Sequence, residues 1–307
     1  MLTPIPEEDR PMPTGGTGAD PMVHRRRLRS ELRKERESAG LTQRDVARAM
    51  DWSLSKLIRI EAGTVNITTN DLKVLLSHYR IADPARTEHL LGIARLARGR
   101  SPWSSYRDLV SPEFLSYLAY ESAASVIRSY EPLFVPGLLQ VEEYARTVIS
   151  AVPGRDSETI DQLVDLRMER QESMSREDGP ELNFVIDEAA LHRVVGGPRV
   201  MRQQLVHIND AGRRANVSVS IVPYMHGMYR GLGVPFVLFE FPEAVDEDVL
   251  FIENPSGDTL RDSTPDDDQR NETASYLETF FQLEQISKQT EVSTFIDATL
   301  ATLSDET

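Results

Sequence analysis

The segment Gly40 to Gly63, GLTQRDVARAMDWSLSKLIRIEAG, admits few folds. It reads as two short helices joined by a tight turn, because cap residues and apolar stripes occur at matched spacing. Thr42 is an N-cap whose hydroxyl accepts an otherwise orphan backbone N–H, and Asp45 follows three residues on. Val46, Ala47 and Met50 then repeat at helical spacing. Asp51-Trp52-Ser53 interrupts the pattern, and Ser53 caps the second helix. Leu54, Leu57, Ile58 and Glu61 supply its inward side, and Gly63 stops it in the left-handed conformation. Ser53, Ser55, Lys56 and Arg59 are left outward, and hydroxyl and cationic side chains suit base edges and phosphates. A plain helical hairpin with a basic surface shares the periodicity. The agreement of caps, spacing and outward chemistry favours the DNA-reading hairpin.

The flanks extend the unit. Upstream, HRRRLRSELRKERESAG places Leu28 and Leu32 one turn apart among six arginines and one lysine, a helix with a basic exterior. Downstream, Leu72, Val74, Leu75, Leu76 and Tyr79 form a further helix opened by Thr68-Thr69-Asn70, and PARTEHLLGIARLARGR adds another. A bundle of four or five helices results. The strings GLTQxxVA, SxSKxxRIExG and LxxLxxxY within it resemble the lambda-repressor-like (Xre-type) helix-turn-helix family over Arg27 to Tyr79. Asp51 departs from that family, which usually has Gly in the turn; Asp tolerates the left-handed conformation better than most residues.

The resemblance implies roles. Gln43 and Arg44 would contact phosphate or brace the recognition helix. Ser53, Ser55 and Lys56 would reach base edges or flanking phosphates from the helix N-terminus. Arg59 would bind phosphate or pair with Glu61 or another acid. Arg25, Arg26 and Arg27 form either an arm on the DNA backbone or minor groove, or a solvated basic tail.

Charge divides the chain. Residues 22–100 carry 17 Lys plus Arg against 9 Asp plus Glu, whereas residues 101–307 carry 16 against 36. The basic part can bind phosphate by counterion release, while the acidic part would repel DNA. The sequence therefore predicts a disordered tail over 1–21, rich in Pro, Gly and acids, a DNA-binding domain over 22–100, and an effector or partner-interaction domain over 101–307. No apolar run of 18 residues occurs, and the N-terminus lacks the apolar core of a secretion signal. With no cysteine, disulfides, thiol catalysis and thiolate zinc sites are excluded, and a cytoplasmic, nucleoid-associated protein is expected.

In the second half, Phe114, Leu115, Leu118, Ala119, Ser122 and Val126 describe an amphipathic helix. Tyr117, Tyr120 and Tyr130 lie in this most aromatic stretch, at spacing that suits core positions more than a ligand cage. ELNFVIDEAAL reads as a strand, Leu182 to Ile186, running into a helix start, and VSVSIVPY, PFVLFEF and DVLFIEN read as short strands. The expected fold is thus a mainly α helix-turn-helix bundle followed by an α+β domain of about four strands in a small, largely antiparallel sheet.

The strings EPLFVPGLLQVEEYA, Arg167 to Gln171, DEAALHRVVGG, MRQQLVHI and VSIVPY resemble the C-terminal domain of a large actinobacterial regulator family joined to the same helix-turn-helix. That resemblance spans most of Trp103 to Ile286. It implies an antitoxin-like transcriptional regulator, commonly encoded beside a very small partner protein, and does not reveal a chemistry.

Catalytic and metal readings are weak. Glu188 and His192 lie one helical turn apart without a third ligand, and no nucleophile, zincin or phosphate-loop motif occurs. No enzyme activity, cofactor or metal is expected. His226 and Tyr229 occupy a Gly-rich loop between strands, a placement that fits a turn as well as a binding residue. Two roles remain for the second domain: capture of a small protein partner, or small-molecule sensing in a pocket between the sheet and the helix near Tyr117, Tyr120 and Tyr130. Apolar residues outnumber convergent polar groups there, which favours the partner. A homodimer on an inverted-repeat operator is expected, because one short recognition helix gives limited affinity.

Overall fold

The computed structural model describes residues 20–174, 179–242, 248–253, 259–262, 267–287 and 292–303. The expected disordered tail lies almost wholly outside the described residues. The chain divides into two compact units, Met1–Asp108 with Leu118–Ala123, and Leu109–Tyr117 with Ala124–Thr307.

The first unit is built on capped helices. α1 (Pro21–Ser38) opens with Asp20 accepting the Met22 N–H and Pro21 at its first position. α2 (Gln43–Ala49) carries the reciprocal Thr42–Asp45 capping box, and α3 (Leu54–Glu61) starts on Ser53, whose hydroxyl accepts the Lys56 N–H. Between them Asp51 has φ +54°, the left-handed turn expected of it. α4 (Thr69–His78) and α5 (Pro84–Leu96) follow, capped by Thr68 and Asp83. Leu32, Val46, Leu57, Leu72, Leu75 and Leu90 form the centre of a single core joining all five helices.

The second unit is a six-stranded sheet in the order β3-β2-β1-β4-β5-β6. Its strands are β1 (Val126–Glu131), β2 (Glu181–Asp187), β3 (Val217–Val222), β4 (Phe236–Glu240), β5 (Val249–Ile252) and β6 (Thr259–Asp262). β2 runs parallel to both neighbours, with Leu182 opposite Ile127 and Val217. β4 runs antiparallel to β1, with Phe236 opposite Tyr130, and β5 and β6 continue antiparallel.

The sheet is mixed, which corrects the largely antiparallel expectation. The reason lies in the connections. α7 (Glu142–Ser150) and α8 (Ser157–Met174) separate β1 from β2, and α9 (Glu188–His192) and α10 (Pro198–Ala211) separate β2 from β3. Helical crossovers of that length bring the chain back parallel. The strand count also rises from four to six. α6 (Pro112–Glu121) stops before Val126, which opens β1 instead of prolonging the helix. α11 (Asp267–Ser287) packs Phe280 and Leu283 against Tyr130, Val185, Phe236 and Leu250, and α12 (Val292–Thr302) lies beside α10.

Candidate functional site

α3 is held by one buried carboxylate. Glu61, near the end of α3, receives Arg36 Nε from α1 at 2.7 Å on Oε1 and Arg36 Nη2 at 3.2 Å on Oε2. Gln43 Nε2, at the start of α2, donates to the same Oε2 at 2.9 Å. Arg36 Nη1 also donates to the Leu41 carbonyl at 2.9 Å. Burial works against the Arg36 charge, but the hydrogen bond and charge of Glu61 outweigh it and raise the pKa. Three helices are thereby tied at one point beneath the outward face of α3. Gln43 thus braces the helix from inside.

That outward face carries Ser55, Ile58 and Arg59. Ser55 and Arg59 are exposed, and Ile58 is 44 % exposed. Leu57 and Ile60 take the buried positions, which rotates Ile58 out of the inward side that its spacing suggests. Arg44 on α2 is exposed, and neither it nor Arg59 makes an ion pair among the described residues. Arg59 is not the partner of Glu61; Arg36 is. Ser53 spends its hydroxyl on the helix cap. Lys56 is half-buried, with Nζ 3.2 Å from Asp71 Oδ2 and 3.9 Å from the Trp52 ring centroid. Both partners of that ion pair keep more than a third of their side-chain surface exposed.

Arg25, Arg26 and Arg27 lie in the first two turns of α1, not in an extended arm. Arg25 Nε donates to the Ala97 carbonyl at 2.8 Å beyond α5, and Arg26 is buried with its guanidinium 5.5 Å from the Tyr120 ring. Pro21 starts the helix early, so Arg25 and Arg26 are engaged within the bundle.

The strings that mark the second half mostly brace its scaffold. Arg167 Nη1 donates to Gln140 Oε1 at 2.5 Å, and Gln171 Nε2 donates to the Gly137 and Gln140 carbonyls at 2.9 and 2.8 Å. Gln204 Nε2 donates to the Leu139 carbonyl at 2.6 Å, and its Oε1 accepts the Val141 N–H at 2.9 Å. Gln171 and Gln204 satisfy the backbone of the VPGLLQ bend, and Arg167 holds the Gln140 side chain, whose Nε2 donates to the Val135 carbonyl. Burial and the neighbouring Arg170 push the Arg167 pKa down to about 10.

A cavity of about 260 Å³ opens where the parallel strands end. It is lined by residues just past β1 (Pro132, Leu133), at the end of β2 (Asp187, Ala189), just past β3 (Pro223, Tyr224) and in the loop before β4, including Gly227, Tyr229 and Leu232. The carboxyl edge of a parallel sheet gathers loops from successive crossovers, and binding sites recur there. Tyr229 donates its hydroxyl to Asp187 Oδ2, and Tyr130 Oη lies 2.8 Å from Tyr229 Oη. Asp187 Oδ1 accepts the Ala189 N–H that caps α9. Burial, then the bond to Asp187, raises the Tyr229 pKa, and burial pushes Tyr130 up to about 12, so both phenols stay protonated at neutral pH. Glu188 accepts the Tyr224 N–H at 2.7 Å and lies 3.2 Å from His192 Nε2, and the His192 ring stacks on Tyr224. The Glu188–His192 pair thus holds a loop.

Three of the second-domain candidates meet at this edge: Tyr130 and Tyr229 by hydrogen bond, and His226 with its ring 6.2 Å from that of Tyr229. Tyr117 and Tyr120 do not line the cavity. Tyr117 packs on Phe114, Phe239 and Phe251, and Tyr120 is buried under Arg26. Sequence reading missed Asp187 as part of a site, because an N-cap and a pocket carboxylate look alike until the loops are placed.

Residues 27–90 match a helix-turn-helix domain, and residues 114–294 match a family described as a domain of unknown function, DUF5753. The chain belongs to the DUF5753 family. Its DUF5753 domain contains β1 to β6 in full, the cavity and the braced bend. The helix-turn-helix match covers α2 to α4 entire and supports DNA binding and transcriptional regulation. No curated protein and no solved structure matches the chain. No helix among the described residues is long and apolar enough to cross a membrane.

Proposed function

We propose that this DUF5753 protein is an Xre-type, sequence-specific transcriptional regulator that places α3 in the major groove. The observation that carries the reading is the outward face of α3, where Ser55, Ile58 and Arg59 stand exposed above a helix pinned from below by Arg36 and Gln43 through Glu61. A reading helix must be held rigidly while its outer residues remain free. Arg44 adds a phosphate contact from α2. Lys56 joins by leaving Asp71, since an exposed ion pair contributes only about 0–1 kcal/mol whereas a good base contact contributes roughly 1–3 kcal/mol.

In this reading the chain acts on genomic DNA as a homodimer on an inverted repeat and catalyses no reaction. The DUF5753 domain binds a small protein partner, in antitoxin-like fashion, and so sets when the first unit is on DNA. The cavity beside Tyr229 supports a second reading, in which the domain senses a small molecule.

Selection of the full-length chain on a random duplex pool, followed by binding across a salt series, tests the DNA reading. The expected result is an enriched motif of two related half-sites about one helical turn, or a multiple, apart. Uniform retention of all sequences would reduce the protein to a non-specific phosphate binder.

A further inference from the structure

The rim of the cavity is unusually apolar for a surface. Leu133 and Phe134 follow β1, and Tyr224, Met225, Met228 and Leu232 follow β3; all six are exposed, Met225 and Met228 by 95 % and 82 %. Single exposed apolar residues need no explanation, but Leu133, Tyr224 and Leu232 line the cavity, and Phe134, Met225 and Met228 belong to the same two loops, so apolar surface gathers at one mouth. Methionine is flexible and polarizable and repacks against varied surfaces, so it is favoured where a protein partner docks. The cavity itself is small. About 260 Å³ falls below the roughly 300–1,000 Å³ of ordinary small-molecule sites, and it suits one inserted side chain better than a whole metabolite.

The chemistry of the floor selects that side chain. Asp187 is the only charged residue among those lining the cavity, and it is buried to 7 % exposure. It has spent one acceptor position on Ala189 N and one on the Tyr229 hydroxyl, out of roughly four that a carboxylate offers. Tyr224 and Tyr229 contribute ring surface beside it, and cations favour the faces of such rings. Glu188, bound to the Tyr224 backbone, adds a second negative charge next to this wall.

We propose that this rim and cavity dock a protein segment that presents one Lys or Arg among apolar residues, the cation entering beside Tyr224 and Tyr229 toward Asp187 and the apolar flanks lying on Met225, Met228 and Leu133. This rests on the partner-binding reading of the DUF5753 domain and adds the chemistry of the partner. A buried anchor surrounded by an apolar ring is the usual arrangement of an interface hot spot.

The probe is a random peptide display library selected on the full-length chain, with retained peptides measured by fluorescence anisotropy. Enrichment of a basic residue flanked by apolar ones is expected. Replacing that residue by Met in the peptide, which leaves the protein untouched, should weaken binding at least tenfold. The same loss should appear for the original peptide on Asp187→Asn, and the two losses should not add. Met225→Asp with Met228→Asp, at fully exposed positions, should also abolish binding. Adventitious attraction of basic peptides to an acidic chain predicts the reverse, because those substitutions add negative charge. Retained apolar peptides without a basic residue, lost on the methionine variants, would leave the partner reading standing and overturn the cationic anchor. No retained peptide, or a small molecule carried on the purified chain in native mass spectrometry, would overturn both.

Discussion

Arg36 Nε lies 2.7 Å from Glu61 Oε1, and both side chains are nearly enclosed, at 9 % and 4 % exposure. This pair joins the first helix of the bundle to the helix proposed to read DNA. Breaking a buried pair from one side leaves an uncompensated charge, at a cost of about 3–5 kcal/mol. Glu61→Ala should therefore lose that much in denaturant unfolding of the first unit, and operator binding should fail with it. A loss under about 1 kcal/mol would mean that α3 is held by its apolar face alone.

Asp51 sits at φ +54°, where an L-residue bears a steric penalty that glycine lacks. Asp51→Gly should raise stability by up to about 1 kcal/mol, and Asp51→Val should lower it by a similar amount or more. The thermal midpoint of the isolated transition reads both signs. A destabilised Asp51→Gly would indicate that the Asp51 side chain contributes more than its backbone strain costs.

Ser53 and Lys56 separate capping from recognition. Ser53→Ala removes the hydroxyl that accepts the Lys56 N–H, and stability should fall by about 1 kcal/mol. Lys56→Ala loses a partly exposed ion pair with Asp71 and the contact of the ammonium with the Trp52 ring, so stability should change by no more than about 1 kcal/mol while operator affinity falls. Comparable melting changes for the two would contradict the division of roles.

The tyrosine pair at the cavity gives a pH dependence. Tyr130 is pushed up to about 12 by burial, against about 10 for an ordinary phenol. The contribution is complete below pH 10, where both states keep the proton. Between about pH 10 and 12 the unfolded chain loses a proton that the folded chain retains, so stability falls as pH rises. Tyr130→Phe should flatten that alkaline decline, followed by denaturant titration. Tyr229→Phe removes a donor from a buried carboxylate and should cost about 1.5–3 kcal/mol at neutral pH.

The helix-turn-helix was legible because caps, turn and apolar stripes are local signals: Thr42, Ser53 and Asp51 each do in the fold what their chemistry dictates nearby. Ile58 was misread because neighbouring apolar residues on an eight-residue helix leave the inward side ambiguous until α1 and α2 are placed. β1 was hidden for a different reason. VIRSYE is covered on both faces, so it lacks the alternation of a half-exposed strand, and it directly follows a helical stretch. Of the cavity only single candidates such as Tyr229 were legible, since Asp187, Tyr224 and Tyr229 are joined only by the parallel crossovers that the strand pattern left open.

The central claim is that α3 reads sequence through its outer face. Operator and random duplex should be titrated with the full-length chain and with Ser55→Ala/Arg59→Ala, all at one salt concentration. The account predicts at least a tenfold loss on operator and a much smaller loss on random DNA, so that the ratio between them collapses. Unchanged operator affinity in the double variant would contradict it.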